Sequence, residues 1–204
     1  MYKCFSEGLL GSNTYVYWDR VSGEGCVIDL GNPPKRIEEL CKRENIRIKY
    51  LVLTHAHFDH AEYLSEYRKV FSDALLVAHR SEVCVMTDAE ANVSMLVGGY
   101  SNYGTPDIEV EEGDKISLSG SELTIISTPG HTPGSICLYN ERDKLLFTGD
   151  TLFEAGWGRC DFKLGSEDAL RRSLSRLRTL PRDVVVLSGH GGATTIGDEI
   201  GRVL

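Results

Sequence analysis

Residues 51–64 read L-V-L-T-H-A-H-F-D-H-A-E-Y-L. An apolar run ends at Thr54. Three of the chain's six histidines then arrive within six residues, as His55, His57 and His60, with Asp59 among them. Packing three imidazoles and a carboxylate into so short a stretch with no shared partner would desolvate several polar groups, at a cost of roughly 1–3 kcal/mol each. Imidazole and carboxylate are also the donors of many divalent-metal sites. The stretch therefore predicts metal binding.

The spacing says how the donors divide. His55 and His57 are two residues apart, so on extended chain they face the same side. The loop is too short for Asp59 and His60 to close around the same ion, and two adjacent ions are the easier solution. Three other apolar runs end in a similar way: I-I-S-T-P-G-H at 125–131, L-L-F-T-G-D at 145–150 and V-V-V-L-S-G-H at 184–190. A single His or Asp at a strand end usually closes a turn. Four such ends on one shared sheet edge would gather in one cleft, where His131 and His190 complete one shell each and Asp150 bridges through its two oxygens. Only His79 stands outside this set.

The totals narrow the class. The chain has 204 residues, enough for one sizeable domain over 1–204 with a proper core. Lys and Arg number 22 against 30 Asp and Glu, for a net charge of -8, which argues against a nucleic-acid surface. No apolar stretch approaches the roughly 20 residues of a membrane helix, and the N-terminus lacks the apolar core of a signal peptide. A cytoplasmic protein with a small-molecule partner, away from membranes, is expected. The six cysteines form no C-x-x-C pair and read as reduced, mostly buried small hydrophobes.

Strands are expected over Thr14 to Trp18, Cys26 to Leu30, Tyr50 to Leu53 and Ala74 to Ala78. A helix capped by Asn32, with Pro33 in its first turn, buries Ile37, Leu40 and Cys41. A second helix follows His60 and carries Leu64 and Tyr67. Residues 84–107 are less regular and are expected to form a flap or lid, with Tyr100 and Tyr103 reaching the cleft. From Glu109 the pattern turns to hairpins over 115–127 and 136–147. A third helix starts at Ser166 and buries Leu170, Leu174 and Leu177. A last strand covers Asp183 to Leu187 and a short helix closes the chain. Two strand series, each with helices, predict an α/β protein with helices on the outer faces of its sheets.

Five motifs carry a resemblance: T-H-A-H-F-D-H at 54–60, P-G-H-T-P-G-S at 129–135, F-T-G-D-T-L-F at 147–153, G-R-C-D-F at 158–162 and S-G-H-G-G-A-T-T-I-G at 188–197. In their order and over nearly the whole chain they resemble the metallo-β-lactamase superfamily, and within it the glyoxalase II (hydroxyacylglutathione hydrolase) branch. The resemblance implies an αββα four-layer sandwich. It implies one metal on His55, His57 and His131, a second on Asp59, His60 and His190, and Asp150 between them. The ions would be divalent, zinc first, with iron and manganese also suited to these donors. The chemistry implied is thioester hydrolysis, as of S-D-lactoylglutathione, by a metal-bridging hydroxide that Asp59 orients.

Thr54, Thr128, Thr148 and Ser188 precede the donors and are expected to support them or to close turns. Phe153, Trp157 and Arg159 are the candidate substrate wall, with Arg159 facing either a substrate carboxylate or Asp161. Larger glyoxalase II enzymes carry a C-terminal helical domain that grips glutathione, so this chain, ending soon after the last motif, reads as a short form. Ala61-Glu62 stands where relatives are often glycine-rich, which points to a difference at the start of the following helix. A persulfide dioxygenase of the same fold is the alternative, with one iron on His55, His131 and Asp150.

Overall fold

The computed structural model describes residues 1–203. Its first sheet has six strands in chain order: β1 (Tyr2–Phe5), β2 (Thr14–Trp18), β3 (Glu24–Ile28), β4 (Arg47–Val52), β5 (Leu75–His79) and β6 (Ile108–Val110). β1 to β3 are antiparallel neighbours, whereas β3 to β6 run parallel. Parallel pairing needs a crossover. Here α1 (Lys35–Glu44) connects β3 to β4, and α2 (Phe58–Ala61) and α3 (Leu64–Val70) lie between β4 and β5. A short helix, α4 (Val83–Met86), follows β5.

The second sheet holds β7 (Lys115–Leu118), β8 (Ser121–Ser127), β9 (Ile136–Asn140), β10 (Leu145–Gly149), β13 (Val185–Ser188) and β14 (Thr194–Thr195). A small ribbon of β11 (Leu152–Phe153) and β12 (Gly156–Trp157) projects after β10. The parallel step from β10 to β13 is bridged by α5 (Glu167–Leu177), and α6 (Ile196–Glu199) comes last.

Three apolar layers hold this together. Tyr17, Val52 and Val77 of the first sheet meet Leu123, Ile125 and Phe147 of the second in the central layer. Ile37, Leu40 and Leu64 cover the outer face of the first sheet, and Leu170, Leu174 and Leu177 that of the second. The result is an αββα sandwich, as the two strand series and the resemblance implied. Burying one such Leu or Ile is worth about 1.5–3 kcal/mol, so the helical stripes alone fix α1 and α5 on their sheets.

Several local expectations need correction. Asn32 does not cap α1, whose first turn has no side-chain cap. Its buried amide instead donates to Phe5 O, Ser12 O and Thr14 Oγ1 and ties the β1–β2 connection to the end of β3. The helix expected after His60 with Leu64 and Tyr67 is α3, and the unexpected element is the one-turn α2 before it, which holds Asp59 and His60. Ala61 ends α2 fully buried, so no glycine flexibility operates at that point. The four look-alike strand ends do not share one sheet. β4 belongs to the first and β8, β10 and β13 to the second, and they meet because the two sheets stack with these ends on one common rim.

Candidate metal centre

His55, His131, Asp150 and His190 lie within a few residues of the C-terminal end of a strand, and Asp59 and His60 sit in α2, the short helix that follows β4. β4 delivers His55, and the turn after it makes His57 the first residue ahead of α2. β8, β10 and β13 lead to His131, Asp150 and His190. Strand ends are rigid mounts, and loops at the carboxyl ends of parallel strands are the usual place for a site in such sheets. All seven candidates come together. His55, His57 and His131 form one group, Asp59, His60 and His190 another, and His55, His60 and Asp150 a third. Within each, one donor atom per residue lies within 4.8 Å of the others.

The hydrogen bonds decide which ring nitrogens point inward. His131 donates Nδ1–H to Arg159 O at 2.7 Å, and His60 donates Nδ1–H to Asp29 at 2.8 Å. Thr54 Oγ1 gives its hydrogen to Asp29 and so accepts from His55 Nδ1, at 3.2 Å. Burial favours the neutral ring at His55 and His131, and in these tautomers their Nε2 atoms carry lone pairs. The Nε2 atoms converge: His55 Nε2 is 3.2 Å from His131 Nε2, lone pair facing lone pair, and His60 Nε2 is 3.2 Å from His190 Nε2. Among the described residues, His57 Nε2 and Asp150 Oδ1 are buried with no hydrogen-bond partner. Converging lone pairs and orphaned donor atoms in a buried pocket are unfavourable unless a cation sits among them. The residues therefore fit divalent metal.

The electrostatics divide the site. Burial holds the His55 ring well below its ordinary pKa and brings His57 down to about 3, so both stay neutral, the state that binds metal. Burial acts the same way on His60, but Asp150, Asp59 and Asp29 outweigh it and raise that ring well above its ordinary value. Burial pushes Asp150 upward too, yet the facing His60, His131 and His190 rings hold its carboxyl below the usual carboxylate range. The half built on Asp59, His60 and His190 is thus the half that attracts positive charge.

Two carboxylates of the support were not picked out from the sequence. Asp29, just past β3 in a left-handed conformation, accepts from Thr54 N–H at 2.8 Å and orients His60. It follows the apolar run C-V-I, as Asp150 follows L-L-F-T-G, which was the available signal. Glu82 is fully buried and accepts from Ala56 N–H at 2.7 Å, Thr132 Oγ1 at 2.8 Å and Gly134 N–H at 2.9 Å. It joins the His55–His57 turn to the turn after His131. Burial raises its carboxyl to about 7 against the pull of those three bonds. Nothing local in the sequence marks it.

Of the four hydroxyls expected to support donors, only Thr54 touches a donor ring. Thr128 bonds Thr151, Thr148 bonds Leu152 O, and Ser188 donates to His190 O and so shapes the turn. Glycine at 189 is required by space: a Cβ there would stand 2.2 Å from Asp150 Oδ1 and 2.7 Å from His60 Cε1.

The donors open into a cleft of about 450 Å³. Phe153, Trp157 and Arg159 all line it, as expected. Arg159 is held by Asp161 through two bonds of 2.8 and 2.7 Å and lies over the Phe162 ring. From the 84–107 segment it is Val93, Leu96 and Val97 that reach the cleft. Tyr100 is exposed and Tyr103 packs against the first-sheet core, so neither tyrosine joins the wall. His79 is also elsewhere, bonded to Ser81 N–H and Ser127. No helix among the described residues is long and apolar enough to cross a membrane.

A helix-covered pair of stacked sheets with a His- and Asp-rich, metal-fitting cluster on their common rim defines a hydrolase-like metalloenzyme. The chain belongs to the metallo-β-lactamase superfamily, whose family profile matches residues 8–190. It is similar to the probable metallo-hydrolase YqgX of Bacillus subtilis, at 34% identity over 94% of this chain and 90% of that protein. It is similar to the hydroxyacylglutathione hydrolase GloC of Haemophilus influenzae, at 29% identity over 92% of this chain and 89% of that protein. The crystal structure of BLEG-1 B3 metallo-β-lactamase matches with a TM-score of 0.90 and 31% identity, over 98% of this chain and 97% of that one.

Proposed function

We propose that this protein hydrolyses thioesters of the S-D-lactoylglutathione type with two bound divalent ions, zinc first among them. His55, His57 and His131 would hold one ion, Asp59, His60 and His190 the other, and Asp150 would stand between. The observation that carries the reading is the convergence of Nε2 atoms, His55 on His131 and His60 on His190, each at 3.2 Å, beside the unpartnered His57 Nε2 and Asp150 Oδ1. Bound divalent ions supply Lewis acidity, which lowers the pKa of a coordinated water from 15.7 toward about 7 and polarises an acyl carbonyl.

The chain's own groups do the rest. Asp59 lines the cleft with Oδ2 3.2 Å from His190 Nε2, where it can accept a hydrogen bond from the attacking water and orient it. Asp29 and the Arg159 carbonyl hold the His60 and His131 rings in the tautomer that points Nε2 inward. Val93, Leu96 and Val97 wall the cleft on one side, the part of the 84–107 segment that would act as a lid. In the reaction a bond forms from water oxygen to the acyl carbon and the C–S bond breaks. The electron pair leaves on sulfur, one of the water's protons ends on the thiol, and the other leaves with the new carboxyl group, which ionises to carboxylate. Thiolate is a good leaving group, so no dedicated acid is needed.

Metal analysis of purified protein, paired with S-D-lactoylglutathione hydrolysis, tests this. Two equivalents of metal and turnover are expected, with His57→Ala losing one equivalent and most activity. One equivalent of iron with oxygen uptake on a glutathione persulfide would instead establish the dioxygenase. A β-lactam belongs among the substrates tried, because β-lactamase is the name of a similar structure.

A further inference from the structure

We infer that the cleft selects its substrate by an apolar arm, so that thioesters with an extended hydrocarbon acyl group are preferred over those of glutathione. This rests on the thioester-hydrolase reading and specifies its substrate class. Apart from the candidate donors, the lining is apolar except for Arg159. Leu10, Leu96, Val97, Phe153 and Trp157 ring the mouth. Leu10 is 67% exposed and Leu96 73% exposed. Large apolar side chains gathered around a cleft and left in water mark a surface that a ligand covers.

The backbone supports the same assignment. Leu10 and Val93 both line the cleft, with φ of 60° and 56°. A left-handed conformation is costly for a leucine and a true outlier for β-branched valine. Such strain persists where the surrounding structure imposes it, commonly at ligand sites. Here it fixes two apolar side chains in the cleft wall.

The complementary point concerns charge. Glutathione brings two carboxylates, which need cations to replace their hydration. Arg159 is the one cationic side chain lining the cleft among the described residues. Its guanidinium is already bonded twice to Asp161 and stacked on Phe162. Among the described residues no second cationic side chain lines the wall to take the other carboxylate.

The test uses metal-loaded protein and a series of acetyl, butanoyl and hexanoyl thioesters of N-acetylcysteamine beside S-D-lactoylglutathione. kcat/KM is expected to rise about twofold per added methylene, below the roughly fourfold of complete burial, because the rim stays partly open. Leu96→Ser is expected to reduce the hexanoyl-to-acetyl ratio about fivefold. Binding is read separately with two uncleavable thioethers, S-hexyl-N-acetylcysteamine and S-methylglutathione, through tryptophan emission. The hexyl compound should quench it at a Kd at least tenfold lower, and Trp157→Phe should abolish the quench. A flat acyl series, or tighter binding of S-methylglutathione, overturns the inference while leaving the thioesterase reading intact. Loss of every thioester activity with both metals bound overturns the thioesterase reading, and the thioether titration then still decides the apolar preference.

Discussion

Glu82 is the sharpest place to perturb the site without touching a candidate ligand. Glu82→Gln keeps the shape but turns one carboxylate oxygen into an NH2 group. Ala56 N–H uses one oxygen, and Thr132 and Gly134 use the other. Whichever way the amide lies, at least one buried N–H loses its acceptor, which costs about 1–3 kcal/mol at pH 8. The cost depends on pH with a definite sign. The folded carboxyl titrates at about 7 against an ordinary 4.5, so between these values the folded state binds more protons than the unfolded one. This group's contribution therefore grows as pH falls through 7 and is complete below 4.5. Linkage with those two values gives about 2 kcal/mol gained by the wild type between pH 8 and pH 5.5, and none by the glutamine variant.

Denaturant melts of both proteins at the two pH values, at equal metal content, measure the gap. It should open from about 1–3 kcal/mol at pH 8 to about 2 kcal/mol more at pH 5.5. The effects of the neighbouring histidines are shared and cancel in the difference. A gap that stays constant would show that Glu82 does not ionise late. No gap at pH 8 would show that it does not clamp the two histidine-bearing turns. A chelator competition on the same samples should find metal held up to about tenfold more weakly in the variant, since both clamped turns carry proposed ligands.

Other substitutions probe the remaining parts. Gly189→Ala forces a methyl into the 2.2 Å approach to Asp150, so metal analysis should find less than two equivalents, and full loading would contradict that geometry. Asp29→Asn weakens the bond that orients His60 and should reduce affinity at the Asp59–His60–His190 group by about 10–100-fold, read by isothermal titration. Asp161→Asn frees the Arg159 guanidinium and should improve kcat/KM for S-D-lactoylglutathione severalfold, whereas no change would mean that the arginine is out of reach of substrate. Thr128→Val, remote from the donor rings, should leave metal content at the wild-type value by elemental analysis.

The sequence alone determined the candidate donor set and the class of architecture. Apolar runs of strand length ending in His or Asp are local signals, because a buried strand must be apolar and its last residue inherits the strand's rigidity. The leucine stripe of α5 and its Ser166 cap are local in the same sense. The T-H-A-H-F-D-H segment named four candidate donors before any fold was known.

Tertiary structure decided what depends on distance between segments far apart in the chain. Two stacked sheets, rather than one, bring β4 to β8, β10 and β13. Burial gave Glu82 its role and its raised pKa, although it lies 26 residues from Ala56 and 50 from Thr132. The inward tautomers of His60 and His131 come from Asp29 and from the carbonyl of Arg159, each more than 25 residues away. The choice of Arg159 between substrate and Asp161 was open in the sequence, and packing over Phe162 settled the resting pair. Hydrogen bonds and desolvation act over a few ångströms of space, so no spacing along the chain could have revealed them.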